Sequence, residues 1–128
     1  MFSSLILSEK SKAELLERVA PSIPDGWDLH AHHMTIRFGD PALPAHLAAD
    51  EGVEREVFAT HLGVSDMAIA VLVFGYPTEN NIPHVTVAIN AAAGGKPVMA
   101  NDIENWTKLN EPLVLSGTVS AWKIPADK

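Results

Sequence analysis

Two stretches of the chain alternate between apolar and polar residues, as half-buried β-strands do. Each stretch has an apolar side that can face a core: Met34, Ile36 and Phe38 in the first, and Val85, Val87 and Ile89 in the second. The opposite sides are mostly polar: His33, Thr35 and Arg37 in the first, and His84, Thr86 and Ala88 in the second. The alternation predicts that the histidine and threonine of each strand point the same way, as a cleft between two strands requires.

The rest of the chain predicts further strands and two short helices, each opened by a capping box. The chain begins with a strand at residues 3–7 and a helix whose capping box is at 11–14 and which ends at Pro21. Strands follow at 29–38, 57–64 and 67–74, and then the strand that carries His84. The last elements are a helix from Asn101, with Ile103 and Trp106 inward, and a strand at 113–124 with Trp122 in the core. This order predicts the α+β class with antiparallel sheet.

Turn-forming residues predict how these elements are connected. Ser65 and Asp66 suggest a β-hairpin, and Gly117 marks a bulge or a close backbone approach. Residues 39–54 are predicted to form a solvated loop with a helical turn at 45–49, and residues 75–83 a rim loop that leads into His84.

Composition limits the function classes. A chain of 128 residues, 47% of them hydrophobic, is long enough for one domain, expected to cover residues 1–128, and too short for two of ordinary size. Its formal charge of −7 disfavours long duplex nucleic acid, so a nucleic-acid substrate is expected to be small. The chain contains no cysteine and no secretory signal pattern at the start, so we expect a cytoplasmic protein. Its apolar runs are far shorter than the roughly 20 residues that span a bilayer, so we expect no membrane partner.

His33 and His84 are candidate acid and base catalysts because the unperturbed pKa of histidine is about 6.5. One imidazole can take a proton from the attacking group while the other gives a proton to the leaving group of a phosphodiester held between them. Thr35 and Thr86 would hydrogen-bond the non-bridging oxygens and hold the phosphorus in place. This chemistry needs no metal or other cofactor, and the sequence leaves open which histidine is the acid.

The pattern His-x-Thr-hydrophobic, present twice about 50 residues apart, resembles the 2H phosphoesterase superfamily. Its two forms here, Ala-His-His-Met-Thr-Ile and Pro-His-Val-Thr-Val, look like the compact branch that includes the cyclic-phosphodiesterase domains of RNA-repair ligases and phage anti-CBASS nucleases. The resemblance implies a two-lobed α+β fold with the motifs facing across a central cleft, and metal-independent cleavage of 2′,3′-cyclic or other small phosphodiesters. It also implies that His33 and His84 are the catalytic pair and that Thr35 and Thr86 clamp the phosphate.

Three further residues are candidates for substrate binding. Arg37 shares the side of His33, where it either binds phosphate or forms an ion pair at the rim. Tyr76 and Trp27 lie in predicted loops, where they either stack on a base or pack against the protein.

The cluster of His30, His32 and His33 also suggests zinc, which accepts imidazole nitrogen. In a strand, however, His33 points away from the other two, so a three-histidine site would require a local break. We therefore expect no metal site, and we interpret His32 as a packing residue on the face opposite His33.

The sequence thus predicts a hydrolase involved in RNA processing or cyclic oligonucleotide turnover, with a small nucleotide or a short RNA end carrying a cyclic phosphate as its substrate. The alternatives are a non-catalytic module that binds a nucleotide or phosphate in the same cleft, and a zinc-dependent hydrolase. The base, the linkage, the number of nucleotides, the oligomeric state, and the choice between hydrolysis and ligation-type transfer stay open.

Overall fold

A computed structural model describes residues 2–40 and 42–121 of the chain. Within these residues it contains one α-helix, α1 (Glu9–Val19), and seven strands: β1 (Phe2–Leu7), β2 (Asp28–Leu29), β3 (His33–Phe38), β4 (Glu54–Val64), β5 (Ala68–Phe74), β6 (His84–Ile89) and β7 (Trp106–Ser120). Short 3₁₀ segments lie at Ala20–Ser22, Ala45–Asp50, Ala91–Ala93 and Pro97–Asp102.

The strands form a single antiparallel sheet in the order β2-β6-β3-β1-β7-β4-β5. A further pairing of β5 with β6 closes six of these strands into a barrel, and β2 extends the edge of β6. The predicted α+β class with antiparallel sheet is confirmed, whereas the two-lobed arrangement that the resemblance implies stays a prediction.

Two apolar clusters stabilise this barrel. The larger one fills the interior, and α1 adds Leu15 and Val19 to it. Its fully buried members on the barrel strands include Leu5, Met34, Val57, Val71, Val85 and Leu115. A smaller cluster, built on the outer side of β5 and β6, contains Ala68, Ala70, Ile89, Ala100 and Ile103. The predicted inward side of β3 is confirmed for Met34 and Ile36, but Phe38 is 80% exposed. The pairs of Ser4 with Thr35 and of Ser3 with Arg37 leave Ile36 as an additional residue in β3, and this bulge shifts the alternation of the residues after it.

A β-bulge in β6 changes the side on which its last residues lie. The pairs with β5 are Ile69 with Ala88 and then Ala70 with Thr86. Val87 is thus an additional residue in β6, and such a residue shifts the alternation by one position. Ala88 therefore packs in the barrel interior and Ile89 in the outer cluster, so the predicted sides of these two residues are wrong. His84 and Thr86 precede the bulge and keep their predicted side.

The helix α1 begins earlier than predicted. Ser8, not Ser11, is its N-cap: the backbone of Ser8 is extended, and its hydroxyl accepts a hydrogen bond of 3.1 Å from the N–H of Ser11. Ser11 is buried, and its hydroxyl accepts a bond of 2.8 Å from the N–H of Ser116 in β7. The serine interpreted as a cap therefore fastens the helix to the sheet.

The predicted second helix is wrong. Residues 97–102 form a 3₁₀ segment that ends where the helix was expected to begin, and β7 starts at Trp106. Trp106 pairs with Gly63 across the sheet, and its ring lies so close that a Cβ on Gly63 would be 2.5 Å from it. This strand pairing overrides the local capping signal at Asn101, although Ile103 is buried as predicted.

Several smaller predictions are confirmed. β4 and β5 form a hairpin, with Ser65 donating its N–H to the carbonyl of Ala68. Gly117 is a close approach, since a Cβ there would lie 2.6 Å from the carbonyl oxygen of Ile6.

Trp122 and the end of the predicted last strand lie outside the described residues. No helix in the described part of the chain is long and apolar enough to cross a membrane.

Candidate functional site

The two His-x-Thr motifs lie on neighbouring antiparallel strands. Met34 of β3 pairs with Val85 of β6, and both side chains are fully buried in the barrel interior. Because side chains alternate along a strand, Thr35, which follows Met34, and His84, which precedes Val85, point outward. On the adjacent strand β5, Leu72 lies opposite His84 and Ala70 lies opposite Thr86. The site is therefore on the outer side of the barrel, over the β3–β6 contact.

A break between β2 and β3 determines where His33 lies. Ala31 has a left-handed backbone, with φ of +53°, and donates its N–H to the carbonyl of Thr86 at 2.8 Å. Val85, which precedes Thr86 in β6, pairs with Met34. Between the contact of Ala31 with Thr86 and the pair of Met34 with Val85, the chain therefore contains two additional residues, His32 and His33. The chain there turns toward β1, where the carbonyl of His32 accepts a bond of 2.9 Å from Leu7.

The ring of His33 is held on two sides. Phe2 stacks on it with a centroid distance of 4.7 Å and an angle of 19° between the planes, while His32 makes an edge contact at 5.2 Å. The Nδ1 atoms of His32 and His33 are 3.0 Å apart. Burial lowers the pKa of His33 from 6.5 to about 4, together with the charges that His32, His84 and His30 carry when protonated. His33 is therefore neutral at pH 7.

His84 is more buried, with 9% of its surface exposed. Its Nδ1 donates to the carbonyl of Ile82 at 2.6 Å, so the neutral ring has its lone pair on Nε2. Burial lowers the pKa of His84, and the bond to the Ile82 carbonyl opposes this effect because it favours the charged ring.

Thr35 and Thr86 are half-buried, and no described residue forms a hydrogen bond with either hydroxyl. The backbone of Thr35 is fixed by the loop at residues 75–83, since the hydroxyl of Thr78 donates to its carbonyl at 2.7 Å. Two hydroxyls and two imidazole rings are thus presented from adjacent strands. Groups of these kinds can donate to the oxygens of a phosphate and transfer protons to and from it.

Arg37 follows the bulge at Ile36 in β3 and forms ion pairs at the rim. Its Nη2 is 2.9 Å from Oε2 of Glu79 and its Nη1 is 3.5 Å from Oδ2 of Asp40. The bond to Glu79 raises the pKa of Arg37, and the same contact lowers the pKa of Glu79. Of the two roles expected for Arg37, the structure contains the ion pair.

The two candidate stacking residues do not line the site. Tyr76 is 9% exposed, packs in the main core and donates its hydroxyl to Asp50 at 2.9 Å, so of the two roles expected for Tyr76 the structure contains packing against the protein. Trp27 is partly buried against the core and lines a shallow depression beside α1 with Leu16 and Ile23. Both residues follow turns, and the loop-like sequence around them gives no sign that their rings contact the core.

The remaining histidines are dispersed. His46 is exposed in a 3₁₀ segment, and His61 bonds to the hydroxyl of Thr60 at 2.9 Å. Among the described residues, no three His, Cys, Asp or Glu side chains are arranged to hold a metal ion. The break that a histidine cluster would require is nevertheless present at Ala31, and it brings His32 to His33.

Neither a protein-family model nor a curated protein matches this chain. The function is therefore inferred from the two motifs and their surroundings alone.

The sequence reasoning missed three residues of the site. His32 is exposed and bonded to His33, so its interpretation as a packing residue on the opposite face is wrong. The cause is the backbone of Ala31, since a left-handed residue interrupts the alternation and nothing in alanine signals it. Phe2 and Ile82 were also missed, although the position of Ile82, two residues before His84 in a turn-rich loop, is a usable signal for a backbone acceptor.

Proposed function

We propose that this protein is a metal-independent phosphoesterase of the 2H type that acts in the cytoplasm on a 2′,3′-cyclic phosphate or a small cyclic oligonucleotide. The observation that supports it is the placement of both His-x-Thr motifs on adjacent strands, over the pair of Met34 and Val85. His33 and His84 lie close enough for the charge of one to lower the pKa of the other. The two-lobed fold of that superfamily is part of the proposal.

In the proposed reaction one imidazole removes a proton from water as the water oxygen attacks phosphorus. The bond from phosphorus to one ribose oxygen breaks, and the other imidazole donates a proton to that oxygen. Thr35 and Thr86 donate to the non-bridging oxygens, whose negative charge increases in the transition state. His33 is suited to the base role because it is neutral at pH 7, and His84 to the acid role because the carbonyl of Ile82 stabilises its charged form.

The charge distribution supports a small substrate with few negative charges. The chain carries a formal charge of −7, and Arg37, the cation nearest the motifs along β3, is paired with Glu79 and Asp40. A long nucleic acid would meet repulsion with few counter-charges. A cyclic phosphodiester has a single negative charge and can bind through hydrogen bonds alone.

Hydrolysis of 2′,3′-cyclic nucleotides and of cyclic di- and trinucleotides in the presence of EDTA tests the proposal. We expect turnover by the native chain, and a loss of about a thousandfold or more in kcat for His33→Ala and His84→Ala. His46→Ala is the matched control, because this exposed histidine lies outside the site and should leave the rate unchanged. Full activity of the double variant His33→Ala/His84→Ala, or activity that EDTA abolishes, would overturn the proposal.

One observation favours the second candidate, a nucleotide-binding module without turnover. Burial lowers the pKa values of both His33 and His84, so at neutral pH the free protein favours the neutral form of both rings, whereas the acid role needs a protonated one. Catalysis requires the bound phosphate anion to restore the proton on one ring. Tight binding of a cyclic nucleotide with no product after prolonged incubation at pH 6 and pH 7 would identify the protein as this module.

A further inference from the structure

His32 occupies an unusual place next to His33. In a regular strand the two side chains would lie on opposite faces, but the left-handed backbone of Ala31 allows the two rings to meet edge to face, with 80° between their planes. The carbonyl of His32 is fixed by the N–H of Leu7 at the end of β1. The backbone that carries this imidazole is thus anchored to the barrel, although its ring is exposed.

The contact between the rings uses one particular atom of each. The Nδ1 atoms are 3.0 Å apart, which is a hydrogen-bond distance. Two neutral imidazoles can form this bond only if one Nδ1 carries the proton and the other has a lone pair. Whichever ring donates, the bond determines which nitrogen of His33 is protonated, and Nε2 is left for other partners.

Among the described residues, no carboxylate performs this function for His33. The charged groups of the described residues that affect its pKa are all histidines: His30 and His32 on the preceding segment and His84 on β6. On the stacked side, the neighbour is the ring of Phe2 on β1. His32 is therefore the polar group placed to orient the imidazole, a role that a carboxylate or a backbone carbonyl fills for many functional histidines.

The second motif provides a direct comparison. In His84 the donor at Nδ1 is unambiguous, because its partner, the carbonyl of Ile82, can only accept. The same arrangement at His33 requires that His32 accept the proton of Nδ1 and keep its own proton on Nε2, and the His32 side chain is exposed. Both site histidines would then have a lone pair on Nε2 in the neutral state.

We propose that His32 is a positioning residue, which accepts a hydrogen bond from Nδ1–H of His33 and so keeps Nε2 of His33 unprotonated and able to take a proton from the nucleophile. This inference rests on the proposed function for its catalytic meaning. The hydrogen bond itself is a property of the free protein and can be measured without substrate.

Nitrogen-15 NMR of the histidine rings at pH 7.5 tests the bond directly. In the native chain we expect a protonated Nδ1 and an unprotonated Nε2 for His33. In His32→Ala the two nitrogens of His33 should shift toward each other as the tautomers interconvert, and in His32→Asn, whose amide oxygen can accept the same bond, they should return. His30→Ala is the matched control, since it removes a neighbouring histidine that makes no ring contact with His33, and should leave the tautomer unchanged.

The tautomer of His33 decides whether His32 has the proposed role. A native His33 protonated on Nε2, or native-like nitrogen signals in His32→Ala, would overturn the role of His32. Circular dichroism of His32→Ala separates this result from unfolding, and His32→Asn provides a second reading if the alanine variant is unstable.

Kinetics then link the bond to turnover. We expect His32→Ala to lower kcat by about tenfold or more with a smaller change in KM, and His32→Asn to recover most of this loss. A tautomer change without turnover by any variant would contradict the phosphoesterase proposal and leave the positioning role in place. Turnover that His32→Ala does not reduce would contradict the positioning role and leave the phosphoesterase proposal in place.

Discussion

Acidification should destabilise this protein through His33. The perturbation is a change from pH 7 to pH 5, compared between the native chain and His33→Gln. Burial lowers the pKa of His33 to about 4 in the folded state, whereas the unfolded chain has the ordinary value of 6.5. The unfolded state therefore binds the proton first as the pH falls. The resulting stabilisation of the fold is fully present above pH 6.5 and is lost as the pH falls toward 4.

The magnitude follows from the two pKa values. At pH 5 a histidine of the unfolded chain is almost fully protonated, while the folded ring is about nine-tenths neutral. Proton linkage then lowers the free energy of unfolding by about 2 kcal/mol between pH 7 and pH 5. His84 contributes in the same direction, because its pKa is also lowered by burial.

Urea unfolding followed by tryptophan fluorescence at both pH values measures this effect. The native chain should lose about 2 kcal/mol more stability than His33→Gln over this interval. His46→Gln removes an exposed histidine outside the site and should behave like the native chain. A difference below about 0.5 kcal/mol between the native chain and His33→Gln, or an NMR titration of His33 near its ordinary pKa, would refute the reasoning.

Three further predictions concern the fold. Gly117→Ala should lower the free energy of unfolding by about 2 kcal/mol, because the added Cβ would meet the carbonyl of Ile6, and an unchanged urea midpoint would contradict this contact. Ser11→Ala should lower the same free energy by about 1–3 kcal/mol, because it leaves a partly buried N–H of β7 without its acceptor, whereas Ser11→Thr should retain part of the bond. Tyrosinate absorbance reports Tyr76 alone, since it is the only tyrosine, and should give a pKa of about 12, raised by burial and by the bond to Asp50; titration near 10 would show an exposed ring.

The sequence was sufficient for the parts of the fold that depend on local alternation. Met34 is buried and Thr35 lies on the opposite side, because side chains alternate in the regular part of β3 that precedes its bulge at Ile36. The motif residues on β6 also keep their predicted side, since its bulge comes after Thr86.

The rest depended on contacts between distant segments. Asn101 has the signal of a helix start, yet the pairing of Trp106 with Gly63 makes the following residues a strand. Tyr76 lies in a turn-rich stretch, yet its ring packs in the main core and its hydroxyl bonds to the distant Asp50. The approach of His32 to His33 depends on one left-handed alanine, for which the sequence contains no signal.

The pairing of the first strand with the last has a consequence for biosynthesis. Ser4 of β1 lies opposite Ser120 of β7, so the first strand of the barrel must wait for the last one before the barrel can close. Until then β1 has an unpaired edge, and such edges attract other chains. Its other neighbour, β3, is made much sooner and covers the opposite edge of β1. The β1–β3 pair that holds His33 can thus form early, whereas the closed barrel that supports it is complete only after β7 has been synthesised.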